Sequence, residues 1–167
     1  DMLHLDVDLC IETGPNACND CTIERLRQLQ VNMVSIGVQS FQPSLLQYLG
    51  RNTTVENLEL VIQRLLQAGF DSVNLDFIFA IPSQTDQQLQ QDLDRAVQLG
   101  AEQITLYPLF SFPYSSVQNY KQNRKVAPPR IWQERRQFKQ IKTFFDQAGF
   151  VRSSIWSFRK NQTPRYS

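Results

Sequence analysis

Ser72-Val73-Asn74-Leu75-Asp76-Phe77-Ile78-Phe79-Ala80-Ile81 is a β-prone run that passes through Pro82-Ser83-Gln84 into a helix. Thr85 and Gln88 offer a capping box at that junction, Leu89, Leu93, Ala96 and Val97 recur at helical spacing, and Gly100 stands where the helix stops. One strand followed by one amphipathic helix is therefore the building unit, and the rest of the chain writes it again on both sides.

Upstream, Leu3, Leu5, Val7, Leu9 and Ile11 alternate as in a strand, and Ile23, Leu26 and Leu29 mark a helix that Asp20 or Thr22 can cap. Met33 to Val38 is a second apolar run. After the break at Pro43 come a short helical stretch from Ser44 and a longer one from Val55. Thr53 and Glu56 form its expected capping box, Leu58, Val61, Ile62, Leu65 and Leu66 its face, and Gly69 its end. Downstream, Gln103 to Leu109 reads as a strand, Ile131 to Gln147 as a helix with Phe138, Ile141 and Phe145 on one side, and Phe150 to Phe158 as a further strand. Between them, Phe112 to Arg130, with Pro113, Pro128 and Pro129, is the one long irregular stretch. A loop of that length serves either as a functional cover or as a surface insertion.

Strands alternating with helices imply parallel strands joined by crossovers, so the fold class is α/β, with about five strands legible in the sequence. A complete eight-stranded barrel takes about 250 residues. The 167 residues present hold an open sheet or part of a (β/α) barrel, expected over 1–158, with 159–167 beginning a continuation. The chain opens at Asp1 without a Met and ends at Ser167 without a capped helix, so it is expected to be a piece of a longer protein.

Composition narrows the partners. A hydrophobic content of 41% suits one sizeable core. Seventeen Lys and Arg against sixteen Asp and Glu give a net charge of +1, which supplies no global attraction to nucleic acid or to an anionic membrane. No apolar run approaches the roughly 20 residues of a bilayer span. Cys10, Cys18 and Cys21 are too few and odd in number for a secreted disulfide framework, and a cytoplasmic location is expected.

In parallel α/β folds ligands bind beyond the C-terminal ends of the strands. Glu12 follows Leu9-Cys10-Ile11, Gln39 follows Ile36-Gly37-Val38, and Asp76 interrupts an apolar run. Taken singly, Glu12 and Gln39 could be ordinary loop residues. A carboxylate between Leu75 and Phe77 is costly to bury without donors, so Asp76 should meet a ligand, a cation or a dedicated partner, Arg51 being the nearest structural alternative. Arg51 itself, in Gly50-Arg51-Asn52, could equally be a solvated surface residue.

Ser35-Ile36-Gly37-Val38-Gln39-Ser40-Phe41, then Leu49-Gly50-Arg51, then Asn74 to Thr85, then Ile104-Thr105-Leu106-Tyr107-Pro108-Leu109 appear in an order and spacing that resembles the oxygen-independent coproporphyrinogen III oxidase group of radical S-adenosylmethionine (SAM) proteins, which also contains haem chaperones and class C methyltransferases. The resemblance runs from about Leu5 to Phe150. It implies a partial radical SAM barrel. It also implies that Glu12 contacts the SAM bound to an iron–sulfur cluster, and that Gln39, Arg51 and Asp76, with the main chain of Phe110, contact a second SAM. Carboxylates and amides suit the hydroxyl and ammonium groups of this cofactor, and an Arg suits its carboxylate.

By the same resemblance a reduced [4Fe–4S] cluster and SAM generate a 5′-deoxyadenosyl radical that oxidises or modifies a tetrapyrrole or another bulky substrate, with an external electron donor; the alternative is a haem chaperone that delivers haem without turnover. The cluster's C-x-x-x-C-x-x-C loop is expected upstream of Asp1. Cys18-Asn19-Asp20-Cys21 is only a C-x-x-C, and no metal ligand is assigned within the chain. Where the family writes Gly-Leu-Pro-Gly-Gln-Thr, this chain has Ala80-Ile81-Pro82-Ser83-Gln84-Thr85, so the turn is expected to have altered dihedral angles or reduced clearance. His4, the only histidine, reads as a structural or edge residue rather than a haem ligand.

Overall fold

The structure, a computed structural model, describes residues 8–110 and 131–165. The start of the expected first strand with His4, and the stretch Phe112 to Arg130, lie outside the described residues. Among the described residues six strands and five α-helices follow in chain order: β1 (Cys10–Thr13), α1 (Asp20–Gln28), β2 (Met33–Gln39), α2 (Pro43–Tyr48), α3 (Val55–Gln67), β3 (Ser72–Phe79), α4 (Asp86–Gln98), β4 (Gln103–Pro108), α5 (Ile131–Gln147), β5 (Val151–Arg152) and β6 (Ser157–Arg159). They form one sheet of order β1-β2-β3-β4-β6-β5. The first four strands are parallel, each crossover adding the next strand beside the last, as in consecutive strands of a barrel.

The starts of α1, α3 and α4 are built by side-chain caps, in two cases one residue away from the expected place. Thr85 and Gln88 make the reciprocal capping box of α4, as read from the sequence. At α1 the cap is Asn19, which accepts from the Thr22 N–H at 2.9 Å; Asp20 is already inside the first turn, where its charge favours the helix dipole. At α3 the cap is Thr54 rather than Thr53, and it accepts from the Asn57 N–H, while Thr53 accepts from the Asn57 side chain. Adjacent threonines offered two registers, and the inner one placed Leu58, Val61, Ile62 and Leu65 against the sheet.

The expected strand Phe150 to Phe158 is instead two short antiparallel strands, and β6 runs antiparallel to β4. The cause is local. The Ser154 hydroxyl accepts from the N–H groups of Trp156 and Ser157, a serine turn that folds the chain back before it can extend. Only the first four strands follow the parallel pattern.

Strand alternation gives the sheet two unlike faces. Val34, Ile36 and Val38 of β2, Val73, Leu75, Phe77 and Phe79 of β3, and Ile104 and Leu106 of β4 share one core with Leu58 and Ile62 of α3, Leu89 and Leu93 of α4, and Ile141 and Phe145 of α5. The opposite face carries Ser35, Asn74, Asp76, Thr105 and Ser157. A second, smaller core joins Leu45, Tyr48 and Leu49, from α2 and the residue after it, to Ile78, Ile81 and Leu109 at the C-terminal ends of β3 and β4. Burial of that cluster fixes where Gly50 and Arg51 leave the helix.

Candidate functional site

Above the polar face lies a cavity of about 820 Å³, and Glu12, Gln39, Arg51, Asp76 and Phe110 all line it. The fold brings these residues to one place by different routes. Glu12 is carried on β1, Gln39 ends β2, Asp76 lies within β3, Arg51 follows α2, and Phe110 follows β4. Ser35, Asn74, Thr105 and Ser157 form the floor, and Ser154 and Arg165 close the side formed by the C-terminal segment.

The floor is a hydrogen-bonded ladder across four strands. Ser35 Oγ donates to Asp76 Oδ2 at 2.6 Å, and Asn74 Nδ2 lies 2.8 Å from both Ser35 Oγ and Asp76 Oδ1. Thr105 Oγ1 donates to Asn74 Oδ1 at 2.9 Å and lies 3.0 Å from Ser157 Oγ. Asp76 thus has dedicated partners, and the alternative of a pair with Arg51 is not formed among the described residues. Ser35, Asn74, Thr105 and Ser157 were not singled out in the sequence. Their signal was the period-two alternation of polar with apolar residues, Ser72, Asn74 and Asp76 against Val73, Leu75 and Phe77.

Burial raises the Asp76 carboxyl above the usual carboxylate range; the hydrogen bonds from Ser35 and Asn74 oppose this, and the nearby charge of Glu12 adds to it. The phenol of Tyr107, which lines the same cavity, is raised by burial and by the charges of Asp76 and Glu12. Gln39 is 8% exposed, yet its side-chain amide has no hydrogen-bond partner among the described residues. Arg51 is exposed and its guanidinium is likewise unpaired among them. Two acceptors, an amide and a free guanidinium facing one space can receive hydroxyl, ammonium and carboxylate groups of a single ligand, which are the groups SAM presents.

The turn that follows β3 places two side-chain-bearing residues on left-handed backbone. Ala80 and Ser83 have φ of 57° and 66°, the left-handed region that glycine occupies at no steric cost. Gln137 of α5 holds the turn, accepting from the Ala80 N–H at 2.9 Å, while Gln133 donates to the carbonyls of Ile81 and Gln84.

Cys10 is half-buried, Cys18 fully buried and Cys21 exposed, and no group of three potential ligands gathers among the described residues. Burial raises the Cys18 thiol. No described helix is long and apolar enough to cross a membrane.

A family model described as the radical SAM superfamily matches residues 2–96. The heme chaperone HemW of Lactococcus lactis is 33% identical over 97 residues, covering 57% of this chain and 26% of its own length. The anaerobic coproporphyrinogen III oxidase 1 of Cereibacter sphaeroides is 25% identical over 154 residues, covering 92% of this chain and 34% of its own. Among solved structures, the coproporphyrinogen III oxidase of Escherichia coli, described as a radical SAM enzyme, matches with a TM-score of 0.80 over 93% of this chain and 36% of that one, at 22% identity, a likeness of fold. The chain spans between about a quarter and a little over a third of the length of these relatives.

Proposed function

Because this chain belongs to the radical SAM superfamily, we propose that it is the cofactor-holding part of a coproporphyrinogen III oxidase-like barrel whose whole protein oxidises or modifies a tetrapyrrole or another bulky organic substrate. The observation that carries this reading is convergence: residues scattered from Glu12 to Phe110 line one cavity. In the proposed arrangement Gln39, Arg51, Asp76 and the main chain of Phe110 hold one SAM, and Glu12 faces the SAM that belongs to the cluster.

Each residue has a task its surroundings suit. Arg51, unpaired among the described residues, meets the ligand carboxylate with two parallel N–H groups. Asp76, steadied by Ser35 and Asn74, accepts from hydroxyl or ammonium donors. The Gln39 amide finds in the ligand the partner it otherwise lacks. Cluster and SAM together supply radical chemistry in this family; the described residues contribute binding, orientation and exclusion of water. The cluster ligands, an external electron donor and a cytoplasmic setting belong to the whole protein in this reading.

The test uses full-length protein, reconstituted anaerobically with iron and sulfide. With SAM and a reductant it is expected to release 5′-deoxyadenosine, and release no greater than in a cluster-free control would count against an enzyme. A haem chaperone is the second reading, supported by the 33% identity to HemW over 97 residues. Stoichiometric haem binding without consumption of coproporphyrinogen would favour it.

A further inference from the structure

Gln39, a buried residue whose side-chain amide reaches the cavity without a hydrogen-bond partner among the described residues, sits on unusual backbone. Gln39 has φ of 70°, and the β2–β3 register slips there: Gly37 pairs with Asp76 and Gln39 with Phe77, so Val38 is an extra residue. A bulge re-aims the side chain that follows it, and a non-glycine residue holds the left-handed region only when its surroundings fix it. Two features do the fixing.

One lies beneath the amide. A Cβ built on Gly37 would lie 2.7 Å from Gln39 Nε2, closer than real contacts allow, with its next neighbours, Gln39 Cδ and Thr13 O, at 3.9 Å. Gly37 does not adopt the left-handed region, so its backbone would accept any residue. Only the space over it requires glycine, and the Gln39 amide uses that space.

The other lies just beyond. Asp92, 1% exposed in the middle of α4, accepts from Ser40 Oγ at 2.7 Å and from the Phe41 N–H at 2.9 Å, with Gln42 Nε2 at 3.3 Å. Ser40 Oγ in turn accepts from the Gln42 N–H, and Phe41 is buried edge-on to Phe77. The three residues after Gln39 are thus tied to one carboxylate, and the chain cannot relax out of the bulge.

We propose that Gly37 and Asp92 are positioning residues for Gln39, the first by leaving room for its amide and the second by clamping the chain that follows it. The inference rests on the reading that Gln39 contacts SAM, and it predicts a particular pattern of coupling. In Gly37→Ala the fold survives, because the obstructed atom is the tip of a flexible side chain, but the amide must leave its place.

The test is a pair of double-mutant cycles in full-length protein, with SAM titrated at equilibrium and thermal melts run in parallel. Gly37→Ala is expected to weaken SAM binding about tenfold, the loss of roughly one ligand hydrogen bond, and Asp92→Asn severalfold. On a Gln39→Ala background both should change affinity less than about twofold. An effect on that background as large as in the parent protein would overturn the assignment for the residue concerned. Crystal structures of the parent and Gly37→Ala proteins separate this idea from the ligand reading. If Gln39→Ala leaves SAM affinity unchanged, the ligand reading fails, while displacement of the amide in Gly37→Ala still supports positioning. An amide that stays over residue 37 in that variant overturns it whatever SAM does.

Discussion

Ser35 on β2 donates its hydroxyl to Asp76 on β3 across 2.6 Å, the shortest rung of a polar ladder that floors the cavity. The bond, with that from Asn74, partly offsets the cost of burying the Asp76 charge, but burial still dominates and the carboxyl titrates above its ordinary value.

A cationic ligand favours the ionised carboxylate, so Asp76 has a lower pKa in the complex than in the free protein. Binding must then release a proton wherever the free carboxyl is partly protonated, and affinity must fall as the pH drops through the raised pKa. Calorimetry of SAM binding in buffers of different ionisation enthalpy reads the released proton directly. Asp76→Asn should abolish the release and weaken binding about tenfold or more, as for a lost charged hydrogen bond. Asn74→Ala, which removes a bond that lowers the Asp76 pKa, should move the acid limb to higher pH. A limb that does not move between parent and Asn74→Ala would refute the account of Asp76.

Arg51 offers a cleaner separation of binding from folding. Its guanidinium has no ion pair among the described residues, and Gly50 at φ 69° together with the Arg51 N–H bond to the Leu46 carbonyl sets its place through the backbone. Arg51→Ala is expected to cost about 1.5–3 kcal/mol of SAM affinity, roughly a ten- to hundredfold loss, with an unchanged melting temperature. Arg51→Lys should recover little, because an ammonium cannot reproduce the two parallel N–H bonds. Full recovery by Lys would show that only charge matters there.

Much of this was legible in the sequence, for reasons that differ along the chain. Helix faces and the Thr85 box are local patterns, so they could be read directly. The choice of Thr54 over Thr53 was not, because two adjacent hydroxyls differ only in how the following helix packs. Nor was the turn at Ser154, since Val151, Ile155, Trp156 and Phe158 around it are β-prone and masked the turn signal of the serine pair. Glu12, Gln39 and Asp76 stood out as polar residues at or within apolar strands, the site roles of these and of Arg51 and Phe110 came from the family resemblance, and the fold brings all five to one cavity. Asp92 escaped notice although it stands among Leu89, Leu93 and Ala96 on the buried face of α4; a carboxylate on an apolar helix face was the available sign.

The turn after β3 stores strain that glycine would relieve. Ala80 and Ser83 both hold positive φ, at a cost of about 1–2 kcal/mol each for an L-residue. Ala80→Gly or Ser83→Gly should therefore raise stability, by up to about 1 kcal/mol once the greater freedom of glycine in the unfolded chain is counted. Chemical denaturation of full-length protein measures it. Destabilisation by both substitutions would mean that the side chains, and not the backbone, set the energy of this turn.

Asp92 gives the last prediction, and its sign follows from linkage. Burial lifts its carboxyl from 3.8 to about 6 against the opposing bonds from Ser40, the Phe41 N–H and Gln42. The folded state therefore holds this proton more tightly than the unfolded chain. Between about pH 4 and pH 6 the folded protein binds the extra proton, so the contribution of Asp92 to stability is greatest below that window and falls as the pH rises through it. The full loss is about 3 kcal/mol, after which it is constant. Above pH 6 the group is ionised and the clamp on Ser40 and Phe41 is a charged one, so some stability is given up where the loop is held most firmly. Asp92→Asn removes the titration. The difference in unfolding free energy between parent and variant should therefore slope from pH 4 to pH 6 and flatten above, and a difference independent of pH would show that Asp92 is not the buried acid described here.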